Sequence, residues 1–380
     1  NVTIFQHGDG YDHEFVAGLP ESTAAELSRL QRRRRRRHSS SSSPSVAAVC
    51  HSEPGAWHPP RWPTSRCPPV EATFKIGRTM FETDRLPDGW HVKLNLMDQV
   101  WVPTEFARAV FEAGGVAASK LRVLGEPVDV AFFDPNKFVA ADQGRAHADG
   151  QVSAGAAAGG GGGIQELLPP FDLPGKRSRR KELATAEGSS KTITTTTTVF
   201  LSVFKWEERK GWDVLLRAYL SEFTGASTRK HGSNGGGGSD DDEVDGHDGA
   251  EEDDDVVLAI LTNAYHSSGD FEAQVERFIS TDSYLAGRVA EARPIAGARG
   301  RPLPKVVFLA RVAQSELPSV YQQAHAFVLP SRGEGWGRPH VEAMAMGLPV
   351  VATNWSGPTE YLTERNGYPL PLDDDQPLVQ

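Results

Sequence analysis

The stretch Pro330-Ser-Arg-Gly-Glu-Gly-Trp-Gly-Arg-Pro-His-Val-Glu-Ala-Met-Ala-Met-Gly347 holds the residues whose types and spacing could do chemistry. Gly333, Gly335 and Gly337 let the backbone take unusual conformations and approach a ligand closely. Pro339 suits a first helical turn, and Gly347 suits a helix stop. A glycine loop that runs from a strand into a helix start presents backbone N–H groups and the positive end of a helix dipole to an anion. Glu334 precedes that helix and Glu342 lies in its first turns. A carboxylate in that position can accept two hydrogen bonds from vicinal hydroxyls, such as those of a ribose. Taken alone, two glutamates at this spacing read more readily as ordinary capping acids, which are common at helix starts.

Positioning such a loop requires a parallel sheet, and the chain has the pattern of one. Apolar runs at 199–203, 256–261, 306–309, 326–329 and 350–353 read as buried strands. Between them Trp212, Leu215, Leu216, Tyr219, Leu220 and Phe223 recur at helical spacing, as do Phe271, Val275, Phe278 and Ile279, and then Leu317, Val320, Tyr321 and Ala324. Strands alternating with helices imply an α/β fold, with parallel sheets covered on both faces and ligands at the C-terminal strand edge. The first part of the chain is similar. Residues 46–50, 74–77, 99–103 and 121–124 read as strands, and 105–113 as a helix with Thr104 as its N-cap.

The 380 residues carry a formal net charge of −10, which excludes a uniformly basic nucleic-acid binder. No apolar run is long enough to span a bilayer. Two cysteines, Cys50 and Cys67, make neither a disulfide scaffold nor a metal cluster. Three stretches lack the apolar content that would offset ordering entropy and read as disordered inserts: 31–45 with Arg32–Arg37 and a serine run, 140–197 with glycine and threonine runs, and 224–255 with an acidic tract. The acidic runs Asp240–Asp242 and Asp373–Asp375 read as solvated charge rather than a D-x-D metal site, and the arginine run as a low-complexity loop.

The glutamate loop and its surroundings resemble the retaining, nucleotide-sugar-dependent glycosyltransferases of the family 4 type, which have the GT-B fold of two Rossmann-like domains. Glu334 and Glu342 match that family's E-x7-E motif, with Pro330-Ser331 before it. Gly347-Leu-Pro-Val-Val-Ala-Thr353, Ser356-Gly-Pro-Thr-Glu-Tyr361 and Gly367 follow in the family's order. The resemblance implies that Glu342 holds the donor ribose. It implies that Glu334, with the backbone of Gly335, Trp336 and Gly337, faces the transferred sugar. It also covers Phe204-Lys-Trp-Glu-Glu-Arg-Lys-Gly211, where a basic residue and a Lys-Gly five positions later grip the donor diphosphate. The family's usual arginine is Lys205 here, which supplies charge without a bidentate fork. Lys210 matches, and Arg209 could take part of the role. Cations are needed there because cleavage leaves negative charge on the diphosphate.

In the first part His51 matches a family position that faces the interdomain cleft, which implies contact with donor sugar or acceptor. His7, Glu82, Asp84 and Arg85 are further polar candidates without an assigned role. Val100-Trp-Val-Pro-Thr-Glu-Phe106 and Glu126-Pro-Val-Asp129 match landmarks near the end of the family's first domain. The domains expected are 1–139 on the acceptor side with its insert at 31–45, an interdomain insert at 140–197, and 198–380 for the nucleotide sugar with its insert at 224–255. Residues 1–5 read like an internal strand, so a fragment is expected. The activity implied is metal-independent transfer of a hexosyl unit from a nucleotide diphosphate sugar to an acceptor hydroxyl, with retention of configuration. The alternatives are a nucleotide-sugar epimerase of the same fold and an inactive nucleotide-sugar-binding homologue. No cofactor is implied beyond the nucleotide sugar as co-substrate. The acceptor is a carbohydrate, lipid or protein-linked glycan, no nucleic-acid partner is expected, and membrane association is left open. Location stays unassigned, with the cytoplasm or the cytosolic face of an endomembrane as the default.

Overall fold

The structure is a computed structural model that describes residues 16, 19, 21–32, 46–57, 67–137, 179–184, 190–195, 197–224, 255–264, 269–292, 304–309 and 312–372. In chain order the elements are α1 (Glu21–Arg32), β1 (Ala47–His51), β2 (Phe74–Arg78), α2 (Trp90–Leu94), β3 (Gln99–Val102), α3 (Glu105–Ala113) and β4 (Leu121–Val123). Next come β5 (Arg179–Ala184), β6 (Ser190–Thr195), β7 (Thr197–Trp206), α4 (Trp212–Phe223), β8 (Asp255–Ala264), α5 (Phe271–Thr281) and α6 (Ser283–Ala292). The last are β9 (Lys305–Leu309), α7 (Leu317–Gln322), β10 (Ala326–Leu329), α8 (Arg338–Ala345), β11 (Val350–Thr353) and β12 (Tyr368–Leu370).

Two compact units form. The first gathers Asn1–Lys137, Arg311–Pro318 and Pro330–Gln380, and the second Phe138–Ala310 and Ser319–Leu329. In the first, β1 to β4 make a parallel sheet in sequence order, and β11 pairs in parallel with β12. Its core packs Trp57, Leu94, Val100, Val102 and Phe111 at full or near-full burial, each large side chain contributing on the order of 2–3 kcal/mol. Gly77 is a glycine because Trp57 lies where a β-carbon would be, 2.3 Å away. Helix α3 starts as its sequence predicts. Thr104 Oγ1 accepts from Ala107 N at 3.0 Å, and the Glu360 carboxylate accepts from Glu105 N at 2.9 Å.

In the second unit the parallel order is β10-β7-β8-β9. Strands β7 and β8 pair over ten residues each and supply fully buried Val199, Leu201, Leu258, Ala259 and Ile260. Trp206 stacks on Trp212 with ring centroids 4.8 Å apart and meets Phe271 and Phe308, so α4 and α5 close onto the same strands. The α/β expectation holds.

Three features extend the sequence expectations. Residues 179–195, read from composition as part of a disordered insert, include the antiparallel pair β5-β6, with Arg179 opposite Thr195. Runs of β-branched threonine favour a pleated strand. Helix α1 includes Gln31 and Arg32, and β8 starts at Asp255. Cys50 and Cys67 form a disulfide. Two cysteines exclude a scaffold but not a single bridge, and here the bridge ties β1 to the turn before β2. The rest of the three low-complexity stretches, His7, residues 1–5 and the two aspartate runs lie outside the described residues. Among the described residues no helix is long and apolar enough to cross a membrane.

Candidate functional site

The glutamate loop leaves β10 and enters α8. Gly337 sits at φ 90° as the helix N-cap, followed by Arg338 and Pro339 in the first turn. A β-carbon on Gly337 would lie 2.6 Å from His340 Nδ1 and from the Tyr361 hydroxyl, so only glycine fits there by both conformation and space. Glu334 and Glu342 are both buried, each 6% exposed. Burying a carboxylate is costly unless it is partnered, and such groups concentrate at working sites. Arg338 Nη2 lies 3.5 Å from Glu342 Oε1, one helical turn before it.

The loop is held by contacts to its own unit. Glu334 N donates to Ser356 Oγ at 2.9 Å, and Gly357 N donates to Glu334 O at 2.9 Å. Ser356 takes φ 58°, the one non-glycine positive φ among the described residues, a strain worth about 1–3 kcal/mol that the surroundings must impose. Ser331 Oγ donates to Gly333 O at 2.9 Å. The Tyr361 hydroxyl donates to Trp336 O at 2.7 Å. Burial first, and then the negative charge of Glu334, push the Tyr361 phenol well above its ordinary pKa, so it stays a donor. Among the described residues the N–H groups of Gly335 and Trp336 donate to no protein acceptor, and the buried Trp336 Nε1 has none either. The two backbone donors in this turn are thereby left to an oxygen-rich ligand.

The same unit presses its first sheet's C-terminal edge against this loop. Just past β2, the Glu82 carbonyl and Met80 approach Gly333 and Gly335 so closely that β-carbons there would meet them at 2.2 and 2.5 Å. Past β4, Gly125 lies against the Trp336 ring. Pro127, Val128, Asp129, Phe132 and Phe133 then join Arg338, Val341 and Glu342 around a small half-open pocket of about 190 Å³. Its wall is mainly apolar, with a few carboxylate and guanidinium groups, as small-molecule pockets usually are. His51 ends β1 at this edge. Although solvent reaches it, partial burial, followed by the charge of Arg78, lowers its pKa below the usual histidine value, with Glu126 opposing.

In the second unit Lys205 is the penultimate residue of β7 and is exposed. A 3-10 turn, Glu208–Lys210, follows, and Gly211 at φ 66° joins it to α4. Lys205 and Lys210 thus stand at a C-terminal strand edge. The Arg209 guanidinium is 2.6 Å from Glu207 Oε1, so it is committed to a carboxylate in its own turn. The structure therefore places His51, Glu334, Gly335, Trp336, Gly337 and Glu342 in one unit and Lys205, Arg209 and Lys210 in the other. Sequence reasoning gave no role to Ser356, Tyr361, Met80 or Gly125. The first two stand in the quoted Ser-Gly-Pro-Thr-Glu-Tyr run, the only local signal that could have found them.

Among the described residues no group of three or more His, Cys, Asp or Glu side chains is placed to hold a metal ion. Residues 272–380 match the family model described as glycosyl transferases group 1. The O-antigen chain mannosyltransferase RfbU of Salmonella typhimurium is 41% identical over 70 residues, 18% of this chain and 20% of that protein. The mannosylfructose-phosphate synthase of Agrobacterium fabrum is 47% identical over 53 residues, 14% of this chain and 12% of that one. The chain therefore spans a fifth or less of these curated relatives. Among solved structures, Anabaena Alr3699/HepE in complex with UDP and glucose overlaps with a TM-score of 0.43 at 14% identity, over 78% of this chain and 57% of that chain. An overlap that loose assigns no residue. Residues 272–380 are thus similar to the glycosyl transferases group 1 family, and they hold the buried E-x7-E pair framed by a glycine loop and a helix start.

Proposed function

We propose that the chain is a glycosyltransferase that moves a hexosyl unit from a nucleotide diphosphate sugar to an acceptor hydroxyl with retention of configuration and without a catalytic metal. The observation that carries this reading is the pair Glu334 and Glu342, both buried, on either side of a helix start whose preceding turn offers unused N–H donors. Glu342 accepts hydrogen bonds from the ribose hydroxyls. Glu334, with the N–H groups of Gly335 and Trp336, binds the hydroxyls of the transferred sugar. Lys205 and Lys210 oppose the charge that builds on the diphosphate as the glycosidic bond breaks. The acceptor hydroxyl attacks from the face the diphosphate leaves. Its proton passes to the departing phosphate oxygen, so no carboxylate forms a bond to the sugar. His51, neutral at pH 7, contacts the donor sugar or the acceptor.

The mannosyl names of the relatives RfbU and mannosylfructose-phosphate synthase support a sugar substrate, and mannose is the first sugar to try. The test is titration calorimetry with UDP-, GDP- and ADP-sugars, followed by product analysis with the best binder. Wild-type protein is expected to bind one nucleotide sugar, and Glu342→Ala to weaken that binding at least tenfold, about 1.4 kcal/mol. Unchanged binding by Glu342→Ala refutes the donor-site assignment. Turnover of the donor sugar with no acceptor present would instead indicate an epimerase.

A further inference from the structure

We propose that Arg78 and Glu126 form a positioning pair for His51, fixing its imidazole where the sugar hydroxyl must meet it. This rests on the function proposed above, in which His51 touches donor sugar or acceptor. The register supplies the first support. β1 and β2 run parallel with His51 opposite Arg78, each the last residue of its strand, so the two side chains leave the same sheet edge on the same face. Glu126 supplies the second. Its carboxylate comes from the segment after β4, and its Oε1 lies 3.6 Å from Arg78 Nη2. The two side chains are only 17% and 12% exposed.

Stability alone does not call for such a pair. Removing two charges from water is costly, and an apolar pair of the same volume would hold these segments at least as well. What charges add is orientation. A guanidinium with five fixed donors cannot rotate freely once one edge faces a carboxylate, and its planar face or remaining N–H groups then fix a neighbour. Glu126 is also the residue between Gly125, which lies against Trp336, and Pro127, Val128 and Asp129, which line the pocket beside Glu342. The pair therefore links the strand edge bearing His51 to the loop that bears the E-x7-E carboxylates. The charged groups acting on His51 are Arg78 from β2 and Glu126 from beyond β4, and they act in opposite senses, Arg78 disfavouring the imidazolium and Glu126 favouring it. Glu53, two positions along the chain from His51, is the other acid near it in sequence.

The experiment uses the full chain and the nucleotide sugar that wild type turns over. It combines an NMR titration of the His51 ring with the pH profile of kcat/KM. Arg78→Met removes the positive neighbour, so the His51 midpoint and the acid limb of the profile should move to higher pH. Glu126→Gln removes the negative neighbour, so both should move to lower pH. In each variant the plateau kcat should fall roughly 10- to 100-fold through misplacement of the ring, with donor binding kept within about threefold. Arg78→Lys, which keeps the charge, should hold the acid limb at its wild-type pH while still lowering the plateau. His51→Gln should abolish the limb, which assigns it to this ring. Variants that fold, bind donor and retain wild-type plateau and profile overturn the inference while leaving the function intact. A wild-type protein that binds no nucleotide sugar overturns the function and this inference with it. Should Arg78→Met or Glu126→Gln fail to fold, Arg78→Lys and Glu126→Asp decide the matter, since wild-type plateau rates in both also overturn it.

Discussion

Replacing Gly333 by alanine would place a β-carbon 2.2 Å from the carbonyl oxygen of Glu82 and 3.0 Å from the Trp355 ring. An unstrained carbon–oxygen contact is roughly 1 Å longer, so one backbone segment must move by about that distance. The Glu82 segment has little freedom to do so, because Thr79 N already donates to Trp101 O at 3.1 Å. Overpacking of this kind costs about 1–3 kcal/mol, and here the upper half of that range is expected. Gly335→Ala is the control. Its β-carbon would meet Met80 Sδ at 2.5 Å, and a thioether side chain with three rotatable bonds can swing aside. The cost there should sit near 1 kcal/mol. Guanidinium melts at an m-value of about 4 kcal/mol/M would then show midpoints lowered by about 0.5–0.7 M for Gly333→Ala and about 0.2–0.3 M for Gly335→Ala. Adding Met80→Ala should recover most of the Gly335→Ala loss and none of the Gly333→Ala loss, because Met80 takes part only in the Gly335 clash. A Gly333→Ala protein that melts with wild type, or one rescued by Met80→Ala, would refute the close approach of the Glu82 backbone to the loop.

The remaining expectations are simpler. Thr104→Ala removes the acceptor for Ala107 N at a fully buried helix start and should cost about 1 kcal/mol in the same melts, with Thr104→Ser restoring most of it. Reducing Cys50–Cys67, which are 17 positions apart, should lower stability by about 3 kcal/mol through the freedom returned to the unfolded chain, so a midpoint unaffected by a strong reductant would show that the bridge is absent. The Glu342→Ala titration and the opposed pH shifts of the Arg78 and Glu126 variants complete the set.

What could be read from the residues was what repeats locally. The apolar faces of α4 and α5, the buried runs in β7 to β11 and the Thr104 cap all announce themselves within a few turns of chain, and the structure has each of them. The glycine loop between β10 and α8 was legible for the same reason. Helix α2 was missed because five residues are too few for a period to show. The β5-β6 pair was missed because composition argued for entropy while threonine argued for strand. The support of the site was hidden for a different reason. Ser356 holds Glu334 across 22 positions and Tyr361 holds Trp336 across 25, and no pattern of spacing specifies a contact between a loop and a turn that lies beyond a helix and a strand. Arg78 and Glu126 carry ordinary surface types. Only the parallel register of β1 with β2, and the path of the chain beyond β4, make them neighbours of His51.

The carboxylate of Glu360 accepts from the first N–H of α3 across 255 positions of chain. That bond sets a timetable for the ribosome. At 5–20 residues per second, roughly 13–50 s separate synthesis of Glu105 from synthesis of its partner. For that interval α3 has its threonine cap but not its second anion, and the strand edge beside it waits for the glutamate loop. The nascent first unit therefore exposes apolar edge and unpaired helix start far longer than a unit built from one continuous stretch would, which makes it a natural client for chaperones during synthesis and a slow refolder from denaturant.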